Sequence, residues 1–233
     1  MEIRINKYLS EAGYCSRREA DRLVEAGRVS IDGKVALMGS KVGDKSSVSV
    51  DGIVVEAKAK TVLLAFNKPV GIVCTTTDKQ GNNNIVDYIG YPTRIYPVGR
   101  LDKDSEGLIL MTNNGEIMDK ILRSANGHEK EYVVETDKPV TKEFVDKMSA
   151  GVYLKELDRT TKPCKVEIIG KKRFRIILTQ GLNRQIRRMC SELGYRVITL
   201  KRIRIMNIHL GELAVGEYRE VTGDEYKSLI EKL

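Results

Sequence analysis

Three segments of this 233-residue chain combine residue types that could carry out chemistry. The first is PVGRLDKDSEGLILMT, Pro97 to Thr112, where Arg100, Asp102, Lys103, Asp104 and Glu106 crowd between apolar stretches. A charged turn accounts for much of that pattern. It does not account for Leu101 wedged between Arg100 and Asp102, nor for a length beyond a tight hairpin. The carboxylates Asp102 and Asp104 could supply a nucleophile, a proton acceptor or the acid–base pair of glycoside hydrolysis. The second segment is HEKEYVV, where Tyr132 starts a half-buried strand. Packing is the plainer reading of that tyrosine; stacking on a base or moving a proton is the sharper one. The third is QGLNRQIRRMC. There Ile186, Met189, Cys190 and Leu193 recur at helical spacing and mark a buried face. Arg184, Arg187 and Arg188 fall on the other face and its flanks, either solvated or gripping a carboxylate or phosphate.

These segments need a scaffold, and the rest of the chain describes one. Before about Lys60 lies a small unit. Ile5, Tyr8, Leu9 and Ala12 fit one face of a helix that Gly13 ends. Ser16 and Glu19 form a capping box that opens a second helix, with Ala20, Leu23, Val24 and Gly27 on its buried face. Two Asp-Gly turns, Asp32-Gly33 and Asp51-Gly52, sit between short β-branched runs and predict hairpins. Glu56 to Lys60 reads as a linker. Beyond it, residues 61–233 alternate strands and helices. Strands are expected at Val62–Phe66, around Tyr132–Thr136 and at Phe174–Thr179. Thr222 and Glu225 predict a capping box for a last helix with Tyr226, Leu229, Ile230 and Leu233 inward. The expected fold class is therefore α+β: a helix–helix–hairpin unit over residues 1–60, then a mixed, largely antiparallel sheet domain over 61–233.

Composition narrows the partners. The chain carries 40 Lys+Arg against 32 Asp+Glu, a formal charge of +8, which favours a polyanion such as RNA, DNA or a membrane surface. No stretch approaches the roughly 20 apolar residues of a membrane span. The start, MEIRINKYLSEAG, lacks the apolar core of a signal peptide. Four scattered cysteines without a CxxC pair suit a reducing cytoplasm, and with two histidines they leave no evident zinc site. The expectations are a cytoplasmic monomer, with no metal, no cofactor and no membrane partner. In the small unit Arg17, Arg18 and Arg22 cluster in the first turns of the second helix, with Lys7 nearby. Cations at a helix N-terminus oppose the macrodipole. A bound phosphate would resolve that conflict, because it favours both the cations and the helix end; a solvated charged face is the alternative.

The stretch RINKYLSEAGYCSRREADRLVEAGRVSIDGKVA resembles the small RNA-binding module named after ribosomal small-subunit protein four, in which the SRREA helix and adjoining strands grip RNA backbone. The larger part resembles the RNA pseudouridine synthases of the RsuA/RluB/RluF type. GRLDKDSEGLILMTNNG is similar to that family's catalytic loop, KEY to its tyrosine segment, QGLNRQIRRMC to its arginine motif and FNKPVG to a first, mainly structural motif. Segment order and phrases such as NIVDYI, HEKEY and SAGV look closest to the large-subunit RluF branch.

The resemblance implies a reaction. Uridine becomes pseudouridine when the N1–C1′ bond breaks, the uracil turns and C5 bonds to C1′. No group is added, so no cofactor is implied. The base must leave its stack, and Arg100 would enter the vacated space. Asp102 would attack C1′ or accept the 2′ proton, paired with Arg187. Tyr132 would lie against the uracil. Arg17, Arg18, Arg22, Lys7, Arg184 and Arg188 would contact RNA, and Asp104 would shape the loop. The implied substrate is ribosomal RNA, with transfer RNA as an alternative. Two rival classes remain: a non-catalytic ribosome-assembly factor, which would need no Asp102–Arg187 pair, and an RNA methyltransferase, which would need a Gly-rich cofactor loop that the chain lacks.

Overall fold

The computed structural model describes residues 2–56, 60–76, 84–123 and 127–233. Part of the expected linker, residues 57–59, lies outside them. The chain divides into two compact units: Met1–Val62 with Tyr91–Arg94 and Asn113–Gly115, and the remainder.

The first unit is built from local signals. Strand β1 (Ile3–Arg4) leads into α1 (Ile5–Glu11), which ends before Gly13 at φ +79°. Helix α2 (Arg17–Glu25) starts at Ser16, whose Oγ accepts the Glu19 amide at 3.1 Å. Next come β2 (Val29–Ile31), β3 (Lys34–Val35), β4 (Lys41–Val42), β5 (Val48–Val50) and β6 (Ile53–Val54). Four of these form a sheet in the order β3-β2-β5-β6, while β1 pairs β4. Both Asp-Gly turns have positive φ at each residue, the geometry that matches strand twist in a two-residue hairpin. Ile5, Leu9, Ala20, Leu23, Val24, Val29, Val48 and Val50 meet in one core. Gly27, expected on the buried helix face, is exposed beyond the helix end.

The second unit is organised on a nine-stranded sheet. Its elements in chain order are β7 (Leu63–Lys68), α3 (Ile85–Ile89), β8 (Tyr96–Pro97), β9 (Glu106–Thr112), α4 (Gly115–Leu122), β10 (Lys130–Thr136), α5 (Lys142–Ala150), β11 (Tyr153–Leu154), β12 (Arg159–Thr160), β13 (Lys165–Gly170), β14 (Arg173–Leu178), α6 (Gln185–Glu192), β15 (Val197–Ile205), β16 (Ile208–His209), β17 (Tyr218–Glu220) and α7 (Gly223–Glu231). The main path runs β13-β14-β10-β15-β9-β7-β17, with β8 on β9 and β16 on β15; β11 and β12 pair separately. Among the paired strands of the described residues, β15–β9 is parallel and the others antiparallel, so the sheet is mixed and largely antiparallel. The central β7 and β9 are buried on both faces, which explains their near-continuous apolar runs.

Two expectations at the C-terminus differ from the structure. Thr222 sits at the N-cap of α7, but its side chain makes no capping hydrogen bond. The Glu225 carboxylate is held instead by both terminal nitrogens of Arg219 on β17, at 2.6 and 2.8 Å. A charged fork outcompetes a backbone amide for that carboxylate. Leu229 is buried as expected, whereas Ile230 is exposed.

Candidate active site

The Gly99–Ser105 loop is built from the inside out. Leu101, the apolar residue that a simple charged turn leaves unexplained, is buried, and its amide donates to the Cys74 sulfur at 3.4 Å. The FNKPVG segment forms a shelf beneath the loop. Lys68 is fully buried at the end of β7, and its Nζ donates to Pro69 O at 2.8 Å and Ile72 O at 2.9 Å. Burial pushes the Lys68 amine below its ordinary value, opposed by Cys74, Asp104 and Asp102. The turn it ties lets the Gly71 amide donate to Lys103 O at 2.7 Å. Ser105 N closes the loop on Asp102 O at 3.1 Å. The lysine of the FNKPVG segment thus braces the loop.

The arginine motif clamps the other side. Leu182 N bonds Gln185 Oε1 at 3.0 Å, and Arg188 holds Asn183 through its carbonyl at 3.0 Å and its side-chain oxygen at 3.2 Å. Between these braces Arg184 adopts φ +49°, ψ 34°, a left-handed conformation that a non-glycine residue takes only when its surroundings enforce it. That twist sends the Arg184 guanidinium to the loop. It grips both Asp104 oxygens, at 3.1 and 2.9 Å, and lies 3.7 Å from Asp102 Oδ2. The hydrogen bond from Arg184 holds the Asp104 carboxyl below its usual range, with the nearby Arg187 charge adding to it.

Arg187 sits elsewhere than the family resemblance implies. Its Nη2 donates to Asp104 O at 2.7 Å and Ser105 Oγ at 3.3 Å, and its Nε lies 3.4 Å from Asp104 Oδ2. It holds the loop's backbone, while Arg184 faces the Asp102 carboxylate. Arg188 points away, paired with Glu156 as well as Asn183.

Asp102, Tyr132, Arg100 and Arg184 all line one cavity of about 410 Å³ within the second unit, a size suited to a small ligand. Tyr132 is buried on β10 directly opposite Arg202 of β15. Arg202, Lys130, Gln180 and Asn183 also line the cavity; the last three lie in the quoted KEY and QGLNRQIRRMC segments without being singled out there, and Arg202 lies in none. The close approach of β9 and β15 at this point requires Gly107. A Cβ there would fall 2.3 Å from Arg202 O, and its φ is +102°. The thiol beside this loop, Cys74, is no ready nucleophile, because burial pushes it above its ordinary value. Among the described residues, no group of three or more His, Cys, Asp or Glu is placed to hold a metal ion.

In the first unit Arg17 and Arg18 are exposed and make no ion pair among the described residues. Arg22 pairs with Glu19 at 3.1 Å and Lys7 with Glu11 at 3.7 Å.

Residues 62–192 match the family model described as RNA pseudouridylate synthase, and residues 3–48 match the S4 domain. The chain belongs to the RNA pseudouridine synthase family. It is 52% identical over 225 residues to the dual-specificity RNA pseudouridine synthase RluF of Escherichia coli K12, covering 96% of this chain and 77% of that one. It is 36% identical to the ribosomal large subunit pseudouridine synthase B of Bacillus subtilis 168, covering 97% and 95%. A crystal structure of a pseudouridylate synthase superposes with a TM-score of 0.71 at 26% identity, covering 99% of this chain and all of that one. This RNA pseudouridine synthase is thus of the RsuA/RluB/RluF type, with an S4 RNA-binding domain ahead of a mixed-sheet synthase domain. The rival readings as a methyltransferase or an idle assembly factor give way to an enzyme that makes pseudouridine in RNA.

Proposed function

We propose that this enzyme isomerises uridine in large-subunit ribosomal RNA, with Asp102 as the reacting carboxylate and with neither metal nor cofactor. Residues 1–60 grip the RNA and residues 61–233 carry out the reaction, in the cytoplasm, where ribosomal RNA is found. The carrying observation is that Asp102 and Tyr132, from a loop and a strand distant in sequence, line one cavity in which the Arg184 guanidinium lies 3.7 Å from the carboxylate.

The geometry suits the reaction. A flipped uridine places its base against Tyr132 and its sugar toward Asp102. Asp102 then attacks C1′, or accepts the 2′ proton as the glycosidic bond breaks. Tyr132 keeps the detached uracil stacked while it turns. RNA seated over the cavity would exclude water, which would otherwise capture C1′ and make the reaction a hydrolysis. Arg100, exposed at the cavity mouth, is placed to fill the space that the base leaves in the RNA. The large-subunit target is supported by the B. subtilis relative, a ribosomal large subunit pseudouridine synthase. The dual specificity of the E. coli relative supports a second RNA substrate, for which we propose a transfer RNA anticodon stem-loop.

The test is modification mapping of total RNA from cells lacking the gene, complemented with wild type or Asp102→Asn. Wild type restores one or more pseudouridines in large-subunit RNA. Asp102→Asn restores none yet still binds that RNA. Turnover by the Asn variant would remove Asp102 from its role. Loss of wild-type activity in EDTA on prefolded RNA would remove the metal-free assignment.

A further inference from the structure

Two cations in the cavity have no part in the mechanism above. Arg202 lies mid-strand in β15, across from Tyr132 on one side and Gly107 on the other. It is only 3% exposed. Its Nε donates to Leu108 O at 2.6 Å, while Nη2 is buried with no hydrogen-bond partner. The guanidinium carbon lies 6.0 Å from the centre of the Tyr132 ring. Lys130, two residues before Tyr132 and so on the same face of β10, also lines the cavity. Its Nζ makes one long contact, 3.5 Å to His128 O.

Neither cation has an acidic partner among the described residues. The other face of the same two strands shows the contrast: there Arg204 is matched by Glu131 at 2.6 Å and Glu129 at 2.9 Å. Buried cations without counter-charge are costly, and folded proteins normally pair them. Burial drives the Lys130 amine below its ordinary value, and the Arg202 charge drives it further. A guanidinium that the fold leaves short of partners, on a residue that lines the cavity beside the tyrosine, can take a further partner from a ligand.

We propose that Arg202 and Lys130 hold the target uracil by its carbonyl oxygens and stabilise the negative charge it acquires as the glycosidic bond breaks. This rests on the assignment of the cavity to the target uridine. When N1–C1′ breaks, the bonding pair leaves with N1, and the uracil becomes an anion with charge spread onto O2 and O4. C1′ is captured by an Asp102 oxygen; alternatively, Asp102 takes the 2′ proton and a C1′–C2′ double bond forms. C5 of the turned base then bonds to C1′, displacing Asp102 or receiving its proton back at C2′. The C5 proton is lost and N1 is protonated. Arg202 and a charged Lys130 are donors only, so they match uracil O2 and O4. They oppose the exocyclic amino group of cytosine, and the same pair selects uridine over cytidine.

The test compares Arg202→Gln, Lys130→Met and wild type in single-turnover reactions at saturating enzyme. The substrate is large-subunit ribosomal RNA transcribed with either uridine or 5-fluorouridine, and consumption of the target nucleotide is followed by nucleoside mass spectrometry. Fluorine makes the detached base more acidic and a better leaving group. On uridine RNA, Arg202→Gln slows the reaction by about 100-fold or more, and Lys130→Met by about 10-fold or more. Both defects shrink on the fluorinated RNA, and RNA affinity stays near wild type because phosphate contacts dominate it. Equal defects on the two RNAs, or a loss in affinity alone, would show that these side chains only support the fold and would overturn the proposal. Should Arg202→Gln fail to fold in a thermal melt, Lys130→Met decides: an unchanged rate, or a defect indifferent to fluorine, overturns it. A wild-type enzyme that makes no pseudouridine would instead overturn the reading of the cavity itself.

Discussion

In the S4 domain, Arg17 and Arg18 leave the first turn of α2 exposed, with no carboxylate partner among the described residues. In the synthase domain, Arg184 and Arg187 are tied to Asp104 and its backbone, and Arg202 is buried beneath the cavity. The residue type is the same, and the physical meaning is opposite. An exposed guanidinium in high dielectric is screened, interchangeable with its neighbours and available to a phosphate. One held in a fixed fork against a loop sets the position of the atoms it touches. On the function proposed above, the first kind would adjust affinity for RNA in general, and the second would set the rate at one nucleotide.

The largest effect that sharpens this contrast is expected inside the arginine motif. Arg187→Ala frees the Asp104 carbonyl and Ser105 hydroxyl, so the loop carrying Asp102 drifts. A displacement of about 1 Å costs roughly 100-fold in rate. Arg188→Ala removes only the bonds to Asn183 and Glu156 and costs much less. Single-turnover rates on one RNA compare the two, and equal losses would break the distinction between loop clamp and outer brace.

A middle-sized effect is expected in the S4 domain. Replacing Arg17 and Arg18 by Ala, or deleting residues 1–60, weakens binding to ribosomal RNA. The log–log salt slope falls by roughly 0.7–0.9 for each phosphate that the variant no longer neutralises. Rates at saturating enzyme change little for the double substitution. An unchanged slope in a filter-binding titration would mean that those arginines face solvent in the complex.

The smallest effect concerns Asp104, whose carboxyl is half-exposed and held below its usual 3.8 by Arg184. A lowered folded value adds stability above the ordinary carboxylate value, and that stability is lost as pH falls through the lowered one. Asp104→Asn therefore melts slightly below wild type at about pH 7, and the gap closes as pH falls through the lowered carboxyl value and the group protonates. A gap that persists there would assign the effect to packing rather than charge.

What the sequence settles about this protein lies within a few residues of itself along the chain. Ser16 capping Glu19, the two Asp-Gly hairpins, the buried face of Ile186, Met189 and Cys190, and the order of the four motifs each follow from contacts at short spacing or from a specific phrase. The failures share a cause. Spacing matches Glu225 to Thr222, but β17 brings Arg219 to it. The family resemblance pairs Arg187 with Asp102, yet the left-handed turn at Arg184 brings Arg184 nearer that carboxylate and leaves Arg187 on the backbone 83 residues away. Lys68 and Lys130 stand inside quoted motifs but get no role from the sequence, and Arg202 stands in none. Only the tertiary structure buries Lys68 at the end of β7 and, through the register of β10, β15 and β9, sets Arg202 inside with a bond across 94 residues to Leu108. Local periodicity encodes which face is apolar. Which charge meets which across a sheet depends on strand order and register, and those are set by the packing of the whole domain.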